Sequence, residues 1–267
     1  MRVFVEGIGV LGPGLAGWEA SRAVLAGDER YRSQPIVIPA GEGLPSAERR
    51  RVGLPVRLAL GAGHAAFAHA GRDAASTASV FASSGGDGDT VHAICEALAS
   101  TQREVSPTRF HNSVHNAASG YWSIATGARE SSTSLSCYDS SFAAGLLEAV
   151  VQMSATREAV GLIAYDHPYP EPLNKTRPMG ADFAVALVLT AGPSARSLMG
   201  MDVQYVADAG ETTRLPDPAL ESLRLAVPAA RCLPLLGALA RMCGATLRLE
   251  YGDDAHLIVN LFTVSAR

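Results

Sequence analysis

The segment SPTRFHNSVHNAASGYWSIATGARESSTSLSCYDSSFAAGLLEA, residues 106–149, holds two helix patterns with a strand between them. Apolar residues recur at helical spacing over 116–126, whereas Thr133, Leu135 and Cys137 fall on one face of a strand over 132–137. From Ser140 the chain runs SSFAAGLLEAVVQM to Met153, apolar nearly all round, which predicts a helix buried on every side. A strand that feeds such a helix belongs to a layered α/β protein, because an all-apolar helix needs cover on each side.

The flanking sequence extends this pattern in both directions. Upstream, strands are expected over 3–10 and 79–83 and helices over 18–25, 57–70 and 90–99, while 28–55, rich in Pro, Gly and Arg, reads as an irregular surface excursion. The GGDGD run at 85–89 lacks the GK[ST] continuation of a phosphate loop, and it is read as a turn ahead of a helix. Downstream come strands over 159–164 and 181–190 joined by the Pro-rich loop HPYPEPLNKTRP. A shorter second half then offers a strand over 201–207, a polar stretch, a helix over 228–242 and a hairpin turning at 252–254. The chain therefore divides into a long half, residues 1–192, and a reduced half, residues 193–267, packed on the same core. No fixed short repeat is visible.

Composition narrows the function classes. Of the 267 residues, 48% are hydrophobic, 18% charged and only 6% aromatic, so the core must be built mainly from Ala, Val, Leu and Gly in close contact. A net charge of −4 leaves no electrostatic footprint for nucleic acid. The opening MRVFVEGIGV is interrupted by Glu6 and two glycines, so it reads as neither a signal peptide nor a membrane span, and no membrane insertion is expected. Cys95, Cys137, Cys232 and Cys243 show no CxxC spacing and no histidine cluster. They are expected to be reduced thiols in a cytoplasmic protein, with no metal and no cofactor.

The N-terminal RVFVEGIGVLGPGLAGWEASRAVLAG, the 106–149 segment and the later KTRPMGADFAVALVLT together resemble the β-ketoacyl synthases, over most of residues 1–192. In the middle segment Ser106, Pro107, Asn116, Gly120, Gly127 and Arg129 fall in the family pattern without a gap. The resemblance implies an α/β fold, the layered thiolase-like αβαβα fold, here with a truncated C-terminal half. The same ungapped count puts Asp139 where the family carries its catalytic cysteine. Condensation needs a thiolate at a helix N-terminus, where the dipole lowers its pKa, and a carboxylate cannot form the acyl thioester. The family's HGT and K-x-x-x-GH motifs are missing too: the only histidine beyond residue 167 is His256, and no lysine follows Lys175. No catalytic residue is therefore expected, and Asp139 is read as a cap of the helix that follows.

This pattern resembles the chain-length factors, the subunits that lack the cysteine, pair with an active ketosynthase and shape its acyl tunnel. The short length and the SFAAGLLEA helix look most like the chain-length-factor-like proteins of bacterial aryl polyene and xanthomonadin-type pigment clusters. The implied partners are a ketosynthase subunit and, through that complex, an acyl carrier protein. The implied seam is the strand Ser132, Thr133, Ser134, Leu135, Ser136, Cys137, and the implied tunnel or interface residues are Phe110, Val114, Asn116 and Trp122. Two other readings stay open: a stand-alone thiolase-fold enzyme using Cys137 with His115 or His167 and Asp166, and an acyl-binding module with no ketosynthase partner. The polar run His111, Asn112, His115, Asn116 reads either as part of a site or as hydrogen-bonded loop and helix-start residues.

Overall fold

A computed structural model of the chain describes residues 1–208 and 210–264. The elements in chain order are β1 (Arg2–Gly12), β2 (Leu15–Ala16), α1 (Trp18–Ala26), α2 (Ser46–Arg49), α3 (Leu54–Ala70), β3 (Ala78–Ala82), α4 (Gly88–Ala99), α5 (Pro107–Asn112), α6 (Ala117–Thr126) and β4 (Ser132–Leu135). They continue with α7 (Ser141–Thr156), β5 (Val160–Asp166), α8 (Leu173–Thr176), β6 (Phe183–Thr190), β7 (Met199–Val206), α9 (Pro218–Ala226), α10 (Leu233–Arg241), β8 (Ala245–Glu250) and β9 (His256–Phe262). Among the described residues no helix is long and apolar enough to cross a membrane.

All strands join one mixed sheet in the order β4-β3-β5-β6-β1-β7-β9-β8, with β2 folded back on β1. Strands β4, β3 and β5 run parallel, and β5, β6, β1, β7, β9 and β8 alternate antiparallel. β1 lies at the centre and is paired on both sides, which suits its mostly apolar sequence. A bulge where the pairing slips between Val5 and Gly7 resets its phase, so Val3, Val5, Ile8 and Val10 all join one core, under α7 and α10. The other face carries α3 and α6 over a second core with Phe81, Trp122, Ile163 and Tyr165. Among the described residues β7, β9 and β8 build no separate sheet; they lengthen the one that β4, β3, β5, β6 and β1 form.

Gly7 and Gly9 explain how α3 comes so near. A Cβ on Gly9 would lie 2.1 Å from the Ala62 carbonyl oxygen, and one on Gly7 2.1 Å from that of Ala66, so the helix rests directly on the backbone of β1. Gly9→Ala should therefore lift α3 and cost about 3 kcal/mol of unfolding free energy, as overpacking of a dense core does. Chemical denaturation checks this, and an unchanged midpoint would mean that the helix is free to shift.

The two ends of the sheet differ. At β8 the outer edge is engaged at Arg248: Thr213 donates its N–H to the Arg248 carbonyl and its hydroxyl oxygen accepts from the Arg248 N–H, both at 2.9 Å. At β4 no strand follows among the described residues. Ser79 and Ser83 on β3 donate their N–H groups to the carbonyls of Ser131 and Leu135. Backbone groups at odd positions of β4 thus face inward, and those of Ser132 and Ser134 face the open edge.

Several expectations need correction. The strand over 132–137 ends at Leu135, because Ser136 turns away to donate its hydroxyl to the Ser84 carbonyl and Cys137 already belongs to the next turn. Helix α7 is not buried on every side: Val151 is 46% exposed and Leu147 half-buried, on the flank where Gln152 reaches Thr133 of the open edge. The helix over 228–242 splits into a 3-10 turn at Pro228–Cys232 and α10, with Pro234 in its first turn. The stretch read as polar contains α9, opened by Asp217 accepting from the N–H groups of Ala219 and Leu220.

Candidate functional site

The parallel strands β3, β4 and β5 end together, and in α/β sheets this carboxyl end is where chemistry gathers. Three turns meet there, after Ala82, Leu135 and Asp166. The middle one is an elbow. Ser141 Oγ accepts from the Cys137 N–H and donates to the Tyr138 carbonyl, Ser140 N–H closes onto the Cys137 carbonyl, and Tyr138 is driven to a φ of 51°. A left-handed tyrosine is costly, on the order of 1–2 kcal/mol, and persists only where its surroundings impose it.

Asp139 follows on this elbow, half-buried, between two arginines. Arg177, from the loop between β5 and β6, donates to Asp139 Oδ1 at 2.9 Å and to Ser84 Oγ at 2.7 Å. Arg231, from the turn before α10, stands 3.6 Å from Asp139 Oδ2 and donates to Glu250 of β8 at 2.8 Å. The expected cap is therefore corrected: the residue ahead of α7 is Ser140, with no side-chain capping bond, and the Asp139 carboxylate serves guanidinium groups instead. A guanidinium offers the carboxylate a full positive charge and a fork of donors, where the backbone N–H groups at the helix start offer only a partial charge. The Ser140 hydroxyl accepts from Gly252 N–H at 2.8 Å, which ties the β8–β9 hairpin to the elbow.

One further carboxylate binds the site together. Asp166, 1% exposed, accepts from Ser84 N–H and Ser83 Oγ on one oxygen and from Ala229 N–H on the other. Burial pushes its carboxyl up to about 7 against the opposing pull of those donors. A raised folded pKa means that the folded chain holds its proton more tightly than the unfolded one. The stability this brings is full below the unfolded value near 3.8 and fades as pH climbs to about 7. Wild-type melting temperature should accordingly fall between about pH 4 and 7, and Asp166→Asn should flatten that slope while lowering stability throughout, because its amide opposes the Ala229 N–H. Equal slopes in both proteins would remove Asp166 as the cause.

Of the residues considered for a thiol enzyme, the two histidines and the acid are each engaged with partners other than Cys137. His115 Nε2 bonds the Ser83 carbonyl at 3.1 Å, His167 is held between Asp182 at 2.5 Å and Asp89 at 3.2 Å, and Asp166 is fully used by its three donors. The polar run reads as structural at Asn112, which is buried, donates to the Arg51 carbonyl and accepts from Tyr121. The glycine-rich turn is a helix start, with Asp87 capping α4 through Thr90 N–H.

Of the residues expected at a tunnel or interface, Phe110, Val114 and Asn116 line one open groove of about 420 Å³ between α5 and α6, with Pro107, His111 and Ile124. Phe110 is 68% exposed, and Val114 and Ile124 beside it are exposed too, so the groove is an apolar surface patch. Trp122 does not join them. It turns to the opposite side of α6 and packs 1% exposed against Phe67 and Phe81, since it sits one residue past groove-lining Tyr121 on the helix. Sequence reasoning missed Arg177, Arg231, Tyr138 and the role of Asp166. A signal existed for Arg231: a lone charge inside VPAARCLPLLGALA must find a buried partner.

Residues 18–225 match the N-terminal domain of β-ketoacyl synthases. The chain belongs to the β-ketoacyl synthase family. No curated protein sequence matches it. Solved structures do. A ketosynthase (ApeO) in complex with its chain length factor (ApeC) from Xenorhabdus doucetiae aligns over 97% of this chain and 99% of the matched chain, with a TM-score of 0.73 and 23% identity. The ishigamide ketosynthase/chain length factor aligns over 99% and 100%, with a TM-score of 0.75 and 14% identity. A β-ketoacyl synthase from Burkholderia phymatum covers 85% of this chain and only 70% of its own, with a TM-score of 0.62 and 14% identity. At these identities the likeness is one of fold: the layered thiolase-like fold of ketosynthases, in shortened form. Within this family fold the elbow after β4 carries an ion-paired aspartate.

Proposed function

We propose that this β-ketoacyl synthase relative is a non-catalytic, chain-length-factor-like subunit. It pairs with an active ketosynthase in bacterial polyene or polyketide biosynthesis and shapes the acyl tunnel of the complex. The observation that carries this reading is Asp139: at the position that the ungapped family pattern gives to the nucleophile, a carboxylate is neutralised by Arg177 and Arg231. Such a group neither attacks a thioester nor leaves room for one. The open edge of β4, with Val151 and Leu147 of α7 beside it, supports the partner, because an unpaired edge strand invites another chain. In this reading Ser132, Thr133, Ser134 and Leu135 form the seam, and the groove at Phe110, Val114 and Asn116 is the contribution to the tunnel. Residues 1–192 then carry the ketosynthase-like half and 193–267 the reduced one. The acyl carrier protein reaches the subunit through the complex, in the cytoplasm.

The two solved ketosynthase/chain-length-factor assemblies support a paired role by likeness of fold. Co-expression with cysteine-bearing ketosynthases tests it: a 1:1 complex should survive purification, and a chain that remains alone with every ketosynthase would end the reading.

A further inference from the structure

Tyr138 is held at some cost in a place where it buries little. Its backbone is left-handed at φ 51°, the elbow around it is closed by the Ser141 and Cys137 hydrogen bonds, and yet the residue is 63% exposed. The Arg177 guanidinium lies 3.4 Å from the centroid of its ring. That guanidinium is itself fixed by Asp139 and Ser84, and Asp139 is shared with Arg231, which Glu250 holds in turn. A chain of four charged side chains thus clamps one face of an aromatic ring and leaves the rest open, three residues beyond the last residue of β4. Among the described residues nothing covers the exposed part.

We propose that Tyr138 is an anchor of the subunit interface, its ring held out for a pocket on the ketosynthase partner, and that Asp139 is its positioning residue. The proposal rests on the reading above and extends it: the lost nucleophile position has been turned from chemistry to recognition. The occupant is the ketosynthase because Tyr138 follows the end of β4 by three residues, and that reading gives the open edge of β4 to the partner strand. Tyrosine suits the task, since it is among the residues that dominate binding energy at interfaces and it loses little side-chain freedom on association. A guanidinium stacked on the ring keeps it in a single rotamer before the partner arrives.

The test uses the ketosynthase captured by co-expression, titrated against the purified chain. Tyr138→Gly should leave the isolated chain as stable as wild type or more so, because glycine accepts the left-handed backbone that tyrosine resists. The same variant should bind the ketosynthase at least about tenfold more weakly, and Tyr138→Phe should bind as wild type does. Asp139→Ala should weaken binding in the wild-type background and add nothing in the Tyr138→Gly background, a non-additivity that general destabilisation would not produce. Tyr138→Gly binding within twofold of wild type overturns the anchor while leaving the heterodimer intact. Failure of the wild-type chain itself to capture any ketosynthase overturns both proposals, and the two failures are distinct.

Discussion

Ser134→Pro should leave the chain folded and abolish its co-purification with a ketosynthase. Proline removes a backbone N–H, and which one it removes decides the outcome. The groups at Ser131, just ahead of β4, and at Leu135 serve the ladder to β3, so Leu135→Pro would damage the sheet of this chain itself. The N–H of Ser134 points to the open edge, where proline is tolerated within one chain but withholds a donor from any strand that pairs there and presents a ring in its path. The side chain adds little, as the Ser134 hydroxyl only donates to Ser119 Oγ at 3.3 Å. Melting of the variant alone within a few degrees of wild type, with loss of the complex below detection, is the expected pair of results. A folded Ser134→Pro chain that still co-purifies at wild-type yield would move the seam away from β4.

The purified chain, given malonyl and acyl carrier proteins and no other ketosynthase, should form no new carbon–carbon bond, and Asp139→Cys should not change that. A thiol restored beside Arg177 and Arg231 would gain thiolate character from two cations. It would still lack the histidines that support decarboxylation in the family: His115 and His167 are bound to Ser83, Asp182 and Asp89, and His256 to the Asp208 carbonyl. A nucleophile without its partners gives at most a thiol that alkylates readily, so iodoacetamide labelling of Asp139→Cys should rise while condensation stays at background. Elongation by either protein, followed by mass spectrometry of the carrier-bound products, would make the chain an enzyme.

Much of the fold was legible because β1, β5 and β6 are near-continuous apolar runs and α3 and α6 carry helical periodicity ended by left-handed glycines at Gly71 and Gly127. The end of β4 was not, because Ser136 and Cys137 continue the alternation and only the bond from Ser136 to Ser84 stops the strand. The site was legible at one residue. Asp139 could be counted out along the family pattern, but its partners come from segments 38 and 92 residues away, brought in by the order of strands in the sheet. Local spacing can suggest a cap, which is a short-range interaction, and carries nothing about an ion pair closed by tertiary structure. Trp122 shows the same limit: one step along α6 separates an open groove from the core, and a helix pattern alone does not say which side is which.

The unequal ends of the sheet set a stoichiometry. Among the described residues Thr213 sits on the middle of β8 and obstructs a further strand there, whereas β4 is bare, so growth of the sheet is favoured at one end. Association through a single edge closes after one addition, whereas a sheet open at both ends can add copies without limit and become a fibre. The loop that carries Thr213 therefore acts as a terminator, and the assembly that this architecture allows through its sheet is a pair.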